Sequence, residues 1–181
     1  GPTINSEGHE YNAVITKDQK SVVYTVRRAE MDDMATDGLA YEQILKATLD
    51  EMGLWENPQQ FDRQSSKKHH DATVQLFDHD TKLVTYHDED LLLSELRDGQ
   101  WSMPKSLNML NRLGSAETHC SINETFDTIY YPTNFYSANG NLDLYQLTKG
   151  AAGSWPDPPP LKELNTVYTA ASPYMAANGE L

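Results

Sequence analysis

Cysteine is almost missing from this chain: Cys120 is the only one in 181 residues. No disulfide can close within the sequence, and cysteine usage assigns no redox compartment. Cations are scarce as well. Lys and Arg number 14 against 27 Asp and Glu, a formal net charge of −13, which argues against a nucleic-acid phosphate backbone or an anionic membrane surface as partner. No apolar run has the length of a membrane span, and these residues carry no signal-peptide pattern. Reactive motifs are missing too. There is no Gly-x-Ser-x-Gly and no Gly-rich phosphate loop, and Cys120 has only His119 beside it, which strand alternation turns to the opposite face. The expectation is a non-enzyme without a cofactor.

What the chain does have is a globular composition, 38% hydrophobic and 9% aromatic, with ten Tyr against four Phe. Tyrosine suits half-exposed strands, where the ring packs and the hydroxyl reaches water. All three tryptophans open one pattern: Trp, two residues, Pro, two residues, a large apolar residue. The copies are Trp55 to Phe61 with Pro58, Trp101 to Leu107 with Pro104, and Trp155 to Leu161 with Pro158. A period of about 50 residues lies in the range of propeller blades.

Upstream of each Trp the chain repeats alternating or apolar runs separated by turn residues. In the first copy they are 11–16, 21–26 and 42–47; in the second, 72–77, 82–86 and 90–96; in the third, 119–122, 128–131 and 143–147. Ile44, Leu45, Thr48, Leu49 and Met52 fall at helical spacing, but alignment with the later copies makes that stretch a strand. The expectation is an all-β fold, a β-propeller of four-stranded antiparallel blades. One segment would fill the chain, with blade 1 at about 3–61, blade 2 at 62–108, blade 3 at 109–163 and the start of a fourth blade at 164–181. Propellers close with about four to eight blades, so further blades, from this protein or from other copies, are expected to complete the ring.

The unit Ile4-Asn5-Ser6, Glu10-Tyr11, Asp18 to Tyr24 and Trp-x-x-Pro-x-x-Leu resembles the WD-like propeller repeat of the periplasmic TolB type. It is most similar to the variant in Bacteroidetes envelope proteins of the OmpA-like, peptidoglycan-associated kind, some of them parts of type IX secretion and gliding machinery. The resemblance implies a protein-binding scaffold in the periplasm, associated with the outer membrane. It also implies protein partners of the envelope or the remaining blades, and contact with peptidoglycan or glycan through other domains.

Candidate binding residues lie in two loops. Asn134, Phe135, Tyr136 and Asn139 belong to a turn-rich stretch with aromatics suited to touching a protein or a sugar. Asp32, Asp33 and Asp37 belong to an insertion in the first copy that reads more simply as a solvated acidic loop. His69, His70, His79 and His87 stand among carboxylates, a reasonable divalent-metal set. A metal-dependent lyase of uronate polymers is the alternative they raise, with carbohydrate binding as another. Against a metal, their spacing matches no recognised ligand pattern, and His79 and His87 sit at opposite ends of one strand. Surface or connector histidines are the simpler expectation. The Trp and Pro of each copy are expected to be structural, the Pro ending pairing on an outer edge strand and so blunting aggregation.

Overall fold

The computed structural model describes residues 2–27, 34–35, 38, 40–61, 69–115, 117–137, 140–176 and 179–181. Asp32, Asp33, Asp37 and Asn139 lie outside these described residues. The chain divides into two compact units, Gly1–Leu76 with Leu83–Asp88, and Phe77–Lys82 with Glu89–Leu181. The fold is all-β and its sheets are antiparallel. Among the described residues the only helical turn is a 3-10 turn at Ala151–Gly153.

The first sheet runs β1 (His9–Ile15), β2 (Ser21–Arg27), β3 (Gln43–Leu49), β4 (Trp55–Gln60), in chain order. Val22 to Val26 are all buried, as expected of an interior strand covered on both faces. Val22, Tyr24 and Val26 alternate onto one face with Ala47, and Ile4, Leu45 and Trp55 pack against them. The second sheet is β5 (Asp71–Phe77), β6 (Lys82–His87), β7 (Asp90–Arg97) and β8 (Gln100–Trp101), with β9 (Lys105–Ser106) also on β7. The third is β10 (Ser121–Ile122), β11 (Thr128–Thr133) and β12 (Asp143–Thr148).

The three sheets repeat the same hydrogen bonds at matching places. The last apolar residue of each Trp-x-x-Pro stretch donates its N–H to the second residue of the third strand: Phe61 to Ile44 at 2.9 Å, Leu107 to Leu91 at 3.0 Å and Leu161 to Leu144 at 3.2 Å. At the other end of the third strand, Leu49, Leu96 and Lys149 donate to the carbonyls of Lys20, Thr81 and Asp127, each the residue just before the second strand. All three tryptophans and the three prolines Pro58, Pro104 and Pro158 are half-buried. The periodicity seen in the sequence is therefore a periodicity of backbone pairing.

The outermost strand is where the expectation of four strands per copy needs correction. Proline has no N–H to give a ladder, and the damage grows with each copy. In the first, Pro58 and Asn57 (φ 49°) sit in a bulge where the β3–β4 register shifts between Lys46 and Thr48. In the second, the ladder breaks around Pro104 into β8 and β9, giving five strands. In the third, Pro156, Pro158, Pro159 and Pro160 leave a single bridge, Tyr145 to Pro160, and the sheet has three strands. Among the described residues from 164 onward no strand is assigned. They make isolated bonds instead, such as Ala170 N–H to Leu142 C=O at 2.8 Å.

After each of the last two copies a short turn returns an asparagine to the sheet it has just left. In Leu107-Asn108-Met109-Leu110-Asn111 both Leu110 and Asn111 donate to Leu107 C=O, and Leu161 to Asn165 repeats this with Leu164 and Asn165. Asn111 Oδ1 then accepts from Leu91 N–H at 2.8 Å while its Nδ2 donates to Leu91 C=O at 2.9 Å. Asn165 does the same to Leu144, at 2.7 and 2.9 Å. The side-chain amide imitates a strand peptide, satisfying both backbone groups of one residue.

In β11, Tyr131 is 0% exposed and its hydroxyl has no hydrogen-bond partner among the described residues. A buried hydroxyl without a partner costs free energy that Phe would not. Tyr131→Phe is expected to raise the unfolding free energy by about 1 kcal/mol in urea titration; a loss of stability of that size would mean that the hydroxyl is satisfied.

Candidate functional site

The densest chemistry lies in the first unit, where the start of β5 meets the end of β6. With the hairpin turn at Asp78-His79-Asp80, all three at positive φ, antiparallel register brings residues 69–71 beside 87–88. Asp88 N–H donates to His70 C=O at 3.3 Å, and His70 N–H donates to Asp88 Oδ1 at 3.0 Å. Three imidazole–carboxylate pairs result. His87 Nδ1 pairs with Asp71 Oδ1 at 2.6 Å, His69 Nδ1 with Asp88 Oδ2, and His70 Nδ1 with Glu42 Oε2.

Alternation sends His69 and His70 to different neighbours. His69 lies over His87, ring centroids 4.8 Å apart. His70 instead joins a network around Glu42, whose Oε1 also takes Arg27 Nη2 at 2.6 Å and the Tyr11 hydroxyl at 2.7 Å, with Tyr41 against the His70 ring at 4.9 Å. One nitrogen each from His69 and His87 and one oxygen of Asp88 all lie within 4.8 Å of one another.

The carboxylates differ in their surroundings. Burial pushes the Asp71 carboxyl above the usual carboxylate range, and the bond and charge of His87 offset only part of it. Its Oδ2 is buried without a partner among the described residues. For Asp88 burial acts in the same direction but is outweighed, and the bonds from His69 and from His70 N–H hold the carboxyl below its ordinary value. Glu42 follows Asp88: burial is outweighed by the bonds from Tyr11, His70 and Arg27.

His79 does not join the group. Its side chain is 80% exposed in the turn beside Asp78, and its N–H donates to Glu124 Oε2 at 3.2 Å. Of the four expected histidines the structure brings three together, of which two share one set of donor atoms. Asp71, Asp88 and Glu42 are the residues of this cluster that periodicity alone does not single out. Register could have found the first two, because a hairpin turning at Asp78–Thr81 carries residues 87–88 back beside 70–71.

The second unit holds the loop with Asn134, Phe135 and Tyr136. Phe135 is 47% exposed and meets Tyr136 edge-on at 5.0 Å. Arg112 brings the loop together: its guanidinium lies 5.3 Å from the Phe135 ring centre, Nη2 donates to the Tyr136 hydroxyl at 3.2 Å, and it forms an ion pair with Asp157. The Tyr136 hydroxyl donates to Asp157 Oδ1 at 3.0 Å. The bonds from Tyr136 and Arg112 hold the Asp157 carboxyl below its usual range. Asn134 Oδ1 is buried without a partner among the described residues.

Behind this loop Glu117 is 0% exposed, accepting from Ser115 Oγ at 2.7 Å, Thr133 Oγ1 at 2.9 Å and Arg112 N–H at 3.3 Å. Cys120 is buried next to β10, and burial pushes its thiol up to about 12, far from a nucleophile's range.

The tryptophans keep related surroundings. Trp55 pairs with Leu49 and Trp101 with Leu96, near the end of the third strand, and Lys149 Nζ lies 5.8 Å from the centre of Trp155. Comparison with protein-family models and with curated proteins finds no match for the chain.

Proposed function

We propose that the three sheets are successive blades of a β-propeller that acts as a non-catalytic, protein-binding scaffold in the bacterial envelope. The observation that supports it is the threefold backbone bond from Phe61, Leu107 and Leu161 to the same position of the third strand. A unit repeated with that fidelity stacks its copies side by side and leaves its loops for recognition. Phe135, Tyr136 and Arg112, an aromatic pair with a guanidinium, have the composition of a protein-contact centre. The place in the periplasm at the outer membrane, and a part in a secretion or gliding complex, rest on the resemblance of the repeat.

A photo-crosslinking amino acid at Phe135, in cells that make the protein, tests the contact. A discrete protein adduct in the envelope fraction that disappears in Tyr136→Ala is the expected result. Saturable glycan binding by the purified chain with no protein adduct would replace the scaffold with carbohydrate recognition. Electron microscopy of the whole protein tests the architecture: a ring of sheets around a central channel is expected, and an open row of sheets would overturn it.

A further inference from the structure

The imidazoles of His69 and His87 lie against each other at a tilt of 37° beside one carboxylate, and each gives only its Nδ1 to a carboxylate of the chain, Asp88 and Asp71 respectively. His87 gives its Nδ1 side to Asp71 Oδ1 at 2.6 Å, so an imidazole donating there turns the lone pair of Nε2 to a ligand. Metal-bound histidines are oriented in this way, by a carboxylate on the nitrogen that does not ligate. Asp71 is well placed for that work because it is 7% exposed and anchored at the first position of β5. Its second oxygen is buried and unpartnered among the described residues.

His69 stacks at 4.8 Å on His87, and Asp88 follows His87 directly in a turn where Asp88 and Glu89 take φ of 42° and 77°. That conformation is usual for Asn-Gly or Asp-Gly; here it carries a carboxylate to the two imidazoles. Two nitrogens and one oxygen within 4.8 Å of one another are the donor types that suit zinc and its neighbours rather than calcium or magnesium, which take oxygen ligands.

We propose that His69, His87 and Asp88 bind one divalent transition-metal ion of the zinc class, with Asp71 as the positioning residue that holds His87 in its ligating tautomer. His70 is not a ligand, since its ring turns away to Glu42 and Tyr41 and its nitrogens are not among the converging donor atoms. The ion would fasten the entry of β5 to the exit of β6, linking folding of this hairpin to metal. The site is independent of the scaffold function and stands or falls separately.

The test uses the full chain, free of any affinity tag and stripped with chelator, titrated with zinc chloride by calorimetry and with cobalt chloride by visible absorption. One ion per chain is expected, with a thermal transition that rises with zinc concentration by mass action. His69→Ala and His87→Ala abolish saturable binding, and Asp71→Asn weakens it by about 10- to 100-fold. His79→Ala and His119→Ala leave it unchanged. If either histidine variant fails to fold, Asp88→Asn, on an exposed turn, tests the same donor set and is expected to lose the cobalt spectrum. The absence of saturable binding, or binding that survives His87→Ala or Asp88→Asn in folded protein, would overturn the site.

Discussion

Glu117→Ala is expected to lower the unfolding free energy by about 3 kcal/mol, because it strips the acceptor from one buried and two part-buried donors at once. The Ser115 and Thr133 hydroxyls and the Arg112 N–H all point to this carboxylate, at 2.7, 2.9 and 3.3 Å, and Glu117 and Thr133 are both 0% exposed. Glu117 and Thr133 are out of contact with solvent, so the Thr133 hydroxyl keeps its desolvation cost without its bond. Glu117→Gln retains one oxygen and nearly the same volume, and is expected to lose about 1 kcal/mol. The effect reaches the surface through Thr133, whose Oγ1 accepts Phe135 N–H at 3.1 Å. Crosslinking through position 135 should therefore fall in Glu117→Ala even at temperatures where the protein stays folded. Equal urea midpoints for wild type and Glu117→Ala would show that the carboxylate holds nothing.

The second large effect concerns the asparagine clamps. Asn111→Ala removes the acceptor of Leu91 N–H and one of the two donors on Leu91 C=O, the other being Leu107 N–H. Leaving one partly buried N–H without a partner and losing a second bond should cost about 2 kcal/mol. Asn165→Ala repeats the loss at Leu144 and is expected to cost the same. The two clamps share no partner, so the double variant should come close to the sum, about 4 kcal/mol. Asn111→Asp keeps the acceptor but loses the donor, and should recover about half of the deficit. Denaturant titration of the four proteins checks all of this. A cost below about 0.5 kcal/mol for both single variants would place them with ordinary surface substitutions.

Much of the strand pattern is legible in the residues. The runs expected at 21–26, 72–77 and 90–96 form β2, β5 and β7 to within a residue, because alternation and turn chemistry act locally. The apolar spacing around Ile44 and Leu49 would suit a helix, yet the stretch forms β3. There tertiary pairing overrides local spacing, and only the repeat alignment reveals it. What escapes the sequence is how far a proline disrupts its strand. Pro58 is absorbed by a bulge, Pro104 splits a ladder, and the four prolines from 156 to 160 leave one bridge; one missing donor has two different outcomes in the first two copies, and the repeat pattern alone does not separate them. The histidines are legible as a group, but not which of them converge: spacing along the chain separates His69 from His87, and only the hairpin register sets their rings 4.8 Å apart.

The clamps have a further consequence for how such an array can change in length. Each asparagine ties back to the sheet that precedes it, so the stretch from 112 to 165 carries three strands and its own closing latch. A genetic duplication cut between Asn111 and Arg112 would insert one module with its own latch, and the bonds that cross copies, Glu117 N–H to Glu89 C=O and Ala170 N–H to Leu142 C=O, would pass to the equivalent positions of the new copy. Growth by whole copies then needs no redesign of what is already there, and an array of this kind can drift in copy number while each member keeps its lock.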